Sequence, residues 1–157
     1  GSLASRISPP QVCRAKEVMA DLGILPLQET PLRNMSTGQQ RRCLLGRALV
    51  HNPDTLILDE PTAGLDFAAS FDYLARIRKL ARSGKNIVLV THLLNEIPPE
   101  IDRVILLRAG RIVADGTKNE VLTEAYLSQT YDTDIKVAKI DGYFLAYPPN
   151  PDSMAEN

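Results

Sequence analysis

Two adjacent carboxylates, Asp59 and Glu60, are the first residues in the sequence that could do chemistry. They close the run TLILDE, residues 55–60, whose continuous aliphatic stretch predicts a buried parallel strand. One carboxylate could hold Mg²⁺ through water, because Mg²⁺ keeps much of its hydration shell. The other could orient and deprotonate an attacking water. The alternative is a solvated strand end with two acids that bind nothing.

A histidine, His92, follows the second aliphatic run, NIVLVT at residues 86–91. An imidazole at the end of a strand can hydrogen-bond a phosphate or position a water molecule. The alternative is an ordinary polar residue whose hydrogen bonds are satisfied within the fold. Because the carboxyl ends of parallel strands meet at one edge of a sheet, His92 and the two carboxylates are predicted to lie at the same edge.

The third candidate is the stretch MSTGQQRR, in which Ser36 is followed three residues later by Gln39. This S-x-x-Q spacing predicts a capping box, with the Gln39 side chain reaching back to the Ser36 amide. Gly38 is unusual there, since glycine in a first helical turn costs stability. It is explained if a ligand must approach the backbone closely. Exposed amides at a helix N-terminus bind anions, so the stretch predicts a capped helix start that also receives a phosphate.

Other polar and reactive side chains have structural interpretations. Arg41 and Arg42 follow on the same helix and are predicted to form a solvated basic face with local ion pairs, with assistance to a phosphate site as the alternative. His51 falls in the last turn of that helix, where it complements the helix dipole. Cys13 and Cys43 lack metal or redox spacing and are predicted to be reduced, mostly buried thiols.

The elements that position these residues follow from hydrophobic periodicity and from turn residues. Helices are predicted after the cap Ser8-Pro9-Pro10 up to Gly23, from about Ser36 to Val50, over residues 67–82 and over residues 117–131, with a loop at 24–35. In the second helix Leu44, Leu45, Ala48 and Leu49 are expected to point inward. Strands are predicted at 55–60 and 86–91, followed by a hairpin turning at Ala109-Gly110 and by a second hairpin within 134–147.

Two aliphatic strands joined by a helix predict a parallel sheet, so the fold class is α/β.

The net charge of −1 gives no basic field that would favour nucleic acid. The apolar runs are too short to cross a bilayer. The N-terminus shows no signal segment, and Gly1-Ser2 is interpreted as a cloning remnant.

The order of three segments, MSTGQQRR, then LILDEPTAGLD, then VLVTH, resembles the C-terminal half of an ABC-type ATPase domain over about residues 9–122. MSTGQ resembles the signature motif of that family, with Met35 for leucine and Thr37 for the first glycine. LILDE resembles its Walker B strand, AGLD its D-loop, and Thr91-His92 its switch histidine. The resemblance implies a partial domain of the P-loop NTPase type, with part of a helical subdomain and with C-terminal hairpins.

The resemblance also implies roles for individual residues, with ATP and Mg²⁺ as cofactors. Asp59 would help to hold Mg²⁺, Glu60 would be the general base, and His92 would contact the γ-phosphate. Asp66 would lie at a dimer seam. The remaining three residues, Ser36, Gly38 and Gln39, would contact the γ-phosphate of ATP bound by the opposite subunit of a head-to-tail dimer.

The glycine loop G-x-x-x-x-G-K-[ST] is missing, since the only Gly-Lys pair, Gly84-Lys85, lacks the rest of the pattern. The chain is therefore expected to be a fragment that binds nucleotide weakly and is nearly inactive alone. The predicted organisation is a remnant at 1–2, part of the helical subdomain at 3–35, the second half of the ATPase core at 36–131, an extension at 132–147 and a disordered tail at 148–157. Because the fragment would leave strand edges and apolar faces open, self-association is expected.

The leading functional prediction is the motor subunit of a membrane transporter. Its partners would be a second ABC ATPase domain and a transmembrane permease, on which it would sit at the cytoplasmic face of the membrane; no nucleic acid is expected. One alternative is an ATPase of the DNA-maintenance (SMC) type or a soluble translation-type ABC protein. Pro26 and Pro31 interrupt the long coiled coil that the SMC type would need. The other alternative is a non-catalytic half-domain that only binds partners.

Overall fold

A computed structural model describes residues 8–150 of the chain. The predictions for residues 1–7, among them the cloning remnant, and for residues 151–157 of the predicted disordered tail lie outside the described residues. The chain divides into two compact units, Gly1–Val90 and Thr91–Asn157. Each unit has its own hydrophobic core.

The first unit is an α/β arrangement with one pair of parallel strands. Its elements, in chain order, are α1 (Pro9–Asp21), two 3₁₀ turns (Leu25–Leu27 and Leu32–Asn34), α2 (Thr37–Leu49), β1 (Thr55–Asp59), α3 (Phe67–Arg82) and β2 (Asn86–Val90). The two strands pair in parallel from Thr55 opposite Asn86 to Asp59 opposite Val90. The predicted helices, the parallel pairing and the helical crossover between the strands are confirmed.

Helix α1 begins and ends where the sequence predicts, for local reasons. Ser8 is its N-cap residue, Pro9 takes the first helical position, and the Ser8 amide donates to Gln11 Oε1 at 2.8 Å. Gly23 follows the helix with a φ of 64°, a left-handed conformation that glycine adopts without strain. Gly46 of α2 lies against this helix, because a Cβ at that position would come within 3.2 Å of Leu22 Cδ1.

The core of the first unit lies between the three helices and one face of the strand pair. The side chains buried there come from the three helices, from β1 and from the residues that follow α1, and they include Val18, Leu22, Ile24, Leu45, Leu49, Leu56, Leu58, Tyr73, Leu74 and Ile77. The prediction that Leu44 and Ala48 point inward is wrong, since both are exposed. Helix α2 buries the stripe that contains Leu45 and Leu49 against α1 and α3, and its neighbouring stripe has no cover among the described residues.

Strands β1 and β2 are covered on one face only, so the prediction of buried strands is confirmed for one face and wrong for the other. Leu56 and Leu58 are buried, whereas Ile57 between them is 72% exposed. On the same face of β2, Val88 and Val90 are 46% and 48% exposed. Alternate residues of a strand point to opposite faces, and the helices of this unit pack on one of these faces. The expected exposed apolar face is therefore present in the described part of the chain.

The second unit consists of two antiparallel hairpins with short helices between them. Its elements are a 3₁₀ turn (Leu94–Glu96), β3 (Arg103–Arg108), β4 (Arg111–Thr117), α4 (Lys118–Val121), α5 (Glu124–Tyr131), β5 (Lys136–Ile140) and β6 (Tyr143–Tyr147). Both predicted hairpins are confirmed, and the first turns at Ala109 and Gly110, each with a positive φ. The prediction of a single helix over residues 117–131 is wrong, because Leu122 leaves the helical conformation. Thr123 then caps a new helix by accepting a hydrogen bond from the Tyr126 amide.

The two cysteines are free thiols, as predicted, but they are not both buried. Cys13 lies on the outer surface of α1 and is exposed, while Cys43 of α2 is half-buried. The prediction of a buried Cys13 is wrong because α1 turns the face that contains Val18 and Leu22 toward the core.

Candidate functional site

The start of α2 is a complete capping box. Ser36 Oγ accepts a hydrogen bond from the Gln39 amide at 3.3 Å, and Gln39 Oε1 accepts one from the Ser36 amide at 2.9 Å. Gln40 adds a third contact, since its Nε2 donates to the carbonyl of Met35 at 3.0 Å. Met35 itself is buried, so an apolar side chain anchors the chain just before the helix. The predicted capping box is confirmed.

This capping box uses acceptor atoms and leaves donors for a ligand. The acceptors Ser36 Oγ and Gln39 Oε1 are engaged, while the Ser36 hydroxyl hydrogen and the Gln39 Nε2 hydrogens remain able to donate. The amides of Thr37 and Gly38 belong to the first helical turn and have no intrahelical acceptor. The helix dipole adds a partial positive charge at this end. The local chemistry therefore suits an anion that has several acceptor oxygens.

The backbone at Gly38 approaches α3, which was not expected from the sequence. A Cβ added at Gly38 would lie 3.4 Å from the Cβ of Ala69, an ordinary contact distance. Packing in the first unit therefore leaves room for a small side chain at this position. The fold alone does not require the glycine, so close approach of a ligand stays the explanation that the sequence suggested.

The two arginines after the capping box have different contacts. Arg42 donates to the Gly38 carbonyl at 3.4 Å and pairs with Asp72 of α3 at 3.8 Å, so it forms an ion pair, but with another helix and not locally as predicted. Arg41 instead donates from Nη2 to the carbonyl of Ala63 at 3.2 Å. Ala63 belongs to the loop between β1 and α3. The contact joins the capped helix start to that loop, and no sequence pattern indicated it.

The two adjacent carboxylates lie at the carboxyl end of β1, as predicted. Asp59 is the last residue of the strand, is exposed, and pairs in register with Val90. The Glu60 amide donates to the Val90 carbonyl at 2.9 Å, and the Glu60 carbonyl accepts from the Ala63 amide at 3.1 Å. Glu60 has a φ of 43°, a left-handed conformation that costs a non-glycine residue about 1–2 kcal/mol. Strain of this kind clusters at functional sites.

Asp66 has a structural contact that the sequence analysis did not assign. It is the N-cap residue of α3, and its Oδ1 accepts a hydrogen bond from the Ala69 amide at 2.8 Å. This contact fixes the end of the loop that begins at Glu60. A role of Asp66 at a dimer seam stays a prediction.

All predicted site residues except His92 lie in the first unit. Within that unit, Ser36, Gly38 and Gln39 form the start of α2, and Asp59 and Glu60 form the end of β1. His92 belongs to the second unit, where it is exposed and lies in the segment before the 3₁₀ turn. The amide of Leu93, the next residue, donates to Thr91 Oγ1 at 3.0 Å.

A metal site made only of protein side chains is not found among residues 8–150, since no three histidine, cysteine, aspartate or glutamate side chains gather there. Mg²⁺ does not need such a cluster, because it commonly takes one or two carboxylates and completes its shell with water and substrate phosphates. Asp59 is an exposed carboxylate at a strand end and meets that requirement. Within the same residues, no helix combines the length and the apolar character needed to cross a membrane.

Comparisons with known proteins agree on one family. A family model described as ABC transporter matches residues 6–63. The chain is 37% identical over 134 residues to YlmA of Bacillus subtilis, an uncharacterized ABC transporter ATP-binding protein, covering 83% of this chain and 51% of YlmA. It is 38% identical over 111 residues to the cobalt import ATP-binding protein CbiO of Rhodobacter capsulatus, covering 71% of this chain and 40% of CbiO. The chain thus spans about half the length of the curated relatives it matches.

Solved structures show the same fold. An ABC transporter described as metal-chelate type, in an inward-facing conformation, matches with a TM-score of 0.82 and 22% identity over 97% of this chain and 62% of its own. The ADP conformation of MJ1267, an ATP-binding cassette, matches with a TM-score of 0.71 and 26% identity, covering 80% of this chain and 51% of that one. The cbiO1 protein from Clostridium perfringens, part of a cbiONQ complex, matches with a TM-score of 0.66 and 27% identity, covering 83% and 53%.

Proposed function

We propose that this chain, which belongs to the ABC-type ATPase family, is the second half of a nucleotide-binding domain that hydrolyses ATP to drive a membrane transporter. The observation that carries the proposal is the capped start of α2, where the contacts of Ser36 and Gln39 leave hydrogen-bond donors for an anion. A γ-phosphate presents three acceptor oxygens with negative charge, which matches these donors.

The site residues have separate roles in this proposal. Ser36, Gly38 and Gln39 bind the γ-phosphate of ATP held by an opposing domain. Glu60, with its backbone fixed by the Val90 carbonyl, accepts the proton of the attacking water as general base. His92 donates a hydrogen bond to the γ-phosphate. Asp59 would hold Mg²⁺, which when bound neutralises charge on the phosphates.

Asp66 has a proposed role in coupling two sites. It caps α3 through the Ala69 amide, so its backbone position depends on the same loop that begins at Glu60. Arg41 holds the middle of this loop from α2 through the Ala63 carbonyl. Displacement of the phosphate-binding turn of α2 would therefore move the loop on which Asp66 lies. This linkage supports the proposed role of Asp66 in coupling the two sites.

The exposed apolar face of the strand pair is an argument that a further half of the domain covers it. Parallel sheets occur almost only with both faces covered, and here Ile57, Val88 and Val90 have no cover among the described residues. We propose that a segment with the P-loop packs on this face and completes the ATP site. The complete domain would pair head to tail with a second ABC ATPase domain. It would act at the cytoplasmic face of the membrane, bound to a transmembrane permease.

The experiment is to express the chain together with its native upstream coding sequence and to measure ATP hydrolysis in the presence of Mg²⁺. Glu60→Gln is expected to lower turnover by about 10²-fold or more while ATP still binds, because the variant loses the general base and keeps the shape of the side chain. Glu17→Gln is the matched control, since Glu17 lies on α1 in an exposed pair with Arg14.

Three further outcomes decide the proposal. The 157-residue chain alone is expected to show nearly no turnover, because the P-loop supplies most phosphate contacts. Copurification with a permease and stimulation of the ATPase by that permease would support the transporter assignment. Full turnover in the Glu60→Gln variant, or no ATP binding by the longer polypeptide, would refute the proposal.

A further inference from the structure

We infer that Glu96 is a positioning residue for His92 and that it acts through the hydroxyl of Thr91. The inference rests on the proposed role of His92 as a phosphate contact. It assigns a function to the buried carboxylate of Glu96, which has no part in the proposed function. All three residues lie in the second unit.

The Thr91 hydroxyl makes two hydrogen bonds that span His92, to Leu93 and to Glu96. Oγ1 of Thr91 donates to Glu96 Oε2 at 2.7 Å and accepts from the Leu93 amide at 3.0 Å. His92 is the single residue between Thr91 and Leu93. Both of its neighbours are therefore fixed through one hydroxyl group, while the imidazole itself is exposed.

The burial of Glu96 indicates a fixed contact. Glu96 is only 4% exposed and ends the 3₁₀ turn that starts at Leu94, a residue of the hydrophobic core of this unit. A buried carboxylate is costly unless its oxygens are hydrogen-bonded, and the Thr91 hydroxyl satisfies one of them. A hydrogen bond shielded from water is also stronger than one at the surface.

A second anchor holds the other end of the same segment. Lys118 is 6% exposed, and its Nζ donates to the carbonyls of Pro98 and Pro99 at 3.0 and 3.1 Å. Its amide donates to the Asp102 carbonyl at 2.8 Å. The segment from residue 91 to residue 102 is thus fixed by Glu96 near its start and by Lys118 near its end.

This arrangement fits a residue that must meet a phosphate at a defined place. Catalytic contacts have to be held within a fraction of an ångström, and a misplacement of about 1 Å can lower a rate about 10²-fold. Loss of the Thr91–Glu96 bond is therefore expected to lower kcat, with little change in the KM for ATP, since His92 is proposed to contact the γ-phosphate only.

The test uses pairs of variants in the longer polypeptide that hydrolyses ATP. Thr91→Val removes the hydroxyl with nearly the same shape, and Thr91→Ser keeps it. Glu96→Leu removes the acceptor, and Glu96→Gln keeps an oxygen that can accept. We expect kcat to fall about tenfold or more in Thr91→Val and Glu96→Leu, and to stay within about threefold of the wild type in Thr91→Ser and Glu96→Gln.

A double-mutant comparison with His92→Ala separates positioning from general structural damage. If Thr91 acts through His92, Thr91→Val lowers kcat in the wild type but adds nothing in the His92→Ala background. Equal losses in both backgrounds would overturn the inference. Melting temperatures identify variants that fail to fold; if Glu96→Leu does, the Thr91 pair decides.

The same variants distinguish this inference from the proposed function. If His92→Ala loses turnover but Thr91→Val keeps it, the positioning role is refuted and the proposed function stands. If His92→Ala keeps full turnover, the proposed role of His92 is refuted and the inference is overturned with it.

Discussion

The Cβ of Ala69 in α3 lies 3.4 Å from the place where a side chain would begin at Gly38 in α2. This distance is an ordinary van der Waals contact, and the φ of Gly38 is not in the left-handed region. The protein could therefore accept a methyl group at this position without rearrangement. Any penalty for adding one must come from a ligand that occupies the same space.

Replacing Gly38 with alanine is expected to separate stability from nucleotide binding. The free energy of unfolding should rise by about 0.5–1 kcal/mol, because alanine loses less conformational entropy than glycine in a helix. ATP-driven pairing of two complete domains should weaken by about tenfold or more, because the methyl group would meet the γ-phosphate. Chemical denaturation and light scattering with ATP measure the two effects.

The control for Gly38→Ala is Gly46→Ala in the same helix. A Cβ at Gly46 would lie 3.2 Å from Leu22 Cδ1, so this variant tests crowding between α1 and α2 far from the start of the helix. We expect it to change the free energy of unfolding and to leave the response to ATP unchanged. Normal ATP-driven pairing in Gly38→Ala would contradict the proposed close approach of a phosphate.

Ser36→Asp is expected to keep the helix cap and to abolish phosphate binding. Aspartate is as good an N-cap residue as serine, so the free energy of unfolding should stay within about 0.5 kcal/mol of the wild type. Its carboxylate would replace the donor hydroxyl by a negative charge and would repel the γ-phosphate. The measurement is ATP-driven pairing beside thermal unfolding.

Ser36→Ala completes the comparison, since it loses both the cap and the hydroxyl. It should cost about 1 kcal/mol of stability and should weaken ATP-driven pairing less than Ser36→Asp does. A Ser36→Asp protein that pairs normally with ATP would show that the capping box is only structural.

Local signals in the sequence predict most elements of this fold. Helix α3 runs from Phe67 to Arg82 as predicted, because Asp66 supplies a cap and Ser83-Gly84 supplies a stop. The capping box at Ser36 was predictable for the same reason, since all of its atoms lie within four residues.

Features that depend on distant partners could not be predicted in this way. The exposure of Ile57 and Leu44 depends on what covers their faces, which the local pattern does not show. The Arg41 contact with the Ala63 carbonyl joins residues 22 positions apart. The burial of Glu96 was missed because the two acids in the stretch LLNEIPPEI give no sign of which one is buried or which hydroxyl satisfies it.

The exposed face of the strand pair is expected to cause self-association of the 157-residue chain. Ile57, Val88 and Val90 present aliphatic side chains beside open strand edges, which favours pairing with another chain. The average mass from light scattering should rise with concentration. Ile57→Lys should reduce this rise, because a charge would be desolvated in the contact.

The control for Ile57→Lys is Gln28→Lys, at an exposed polar position of the same unit outside the strand face. It adds the same charge and should leave the association unchanged. A monomeric mass at all concentrations, or equal effects of both variants, would contradict self-association through the exposed face of β1 and β2.

The buried Lys118 is expected to make stability depend on pH above neutrality. Burial lowers the pKa of Lys118 from its ordinary 10.5, and the charge of Lys139 acts in the same direction, while the carboxylates of Asp102 and Glu100 oppose it. Between the lowered pKa and 10.5 the unfolded chain binds more protons than the folded chain at this position. The contribution of Lys118 to stability therefore rises as the pH rises through this window.

The measurement compares the wild type with Lys118→Met, which keeps a long apolar side chain and lacks the ammonium group. Free energies of unfolding are determined by urea denaturation at about pH 8 and at about pH 10.5. Groups that titrate in both proteins cancel in the difference, so the wild type should gain stability relative to Lys118→Met at the higher pH. A difference that stays constant or falls would mean that the carbonyls of Pro98 and Pro99 compensate the ammonium fully for its loss of water.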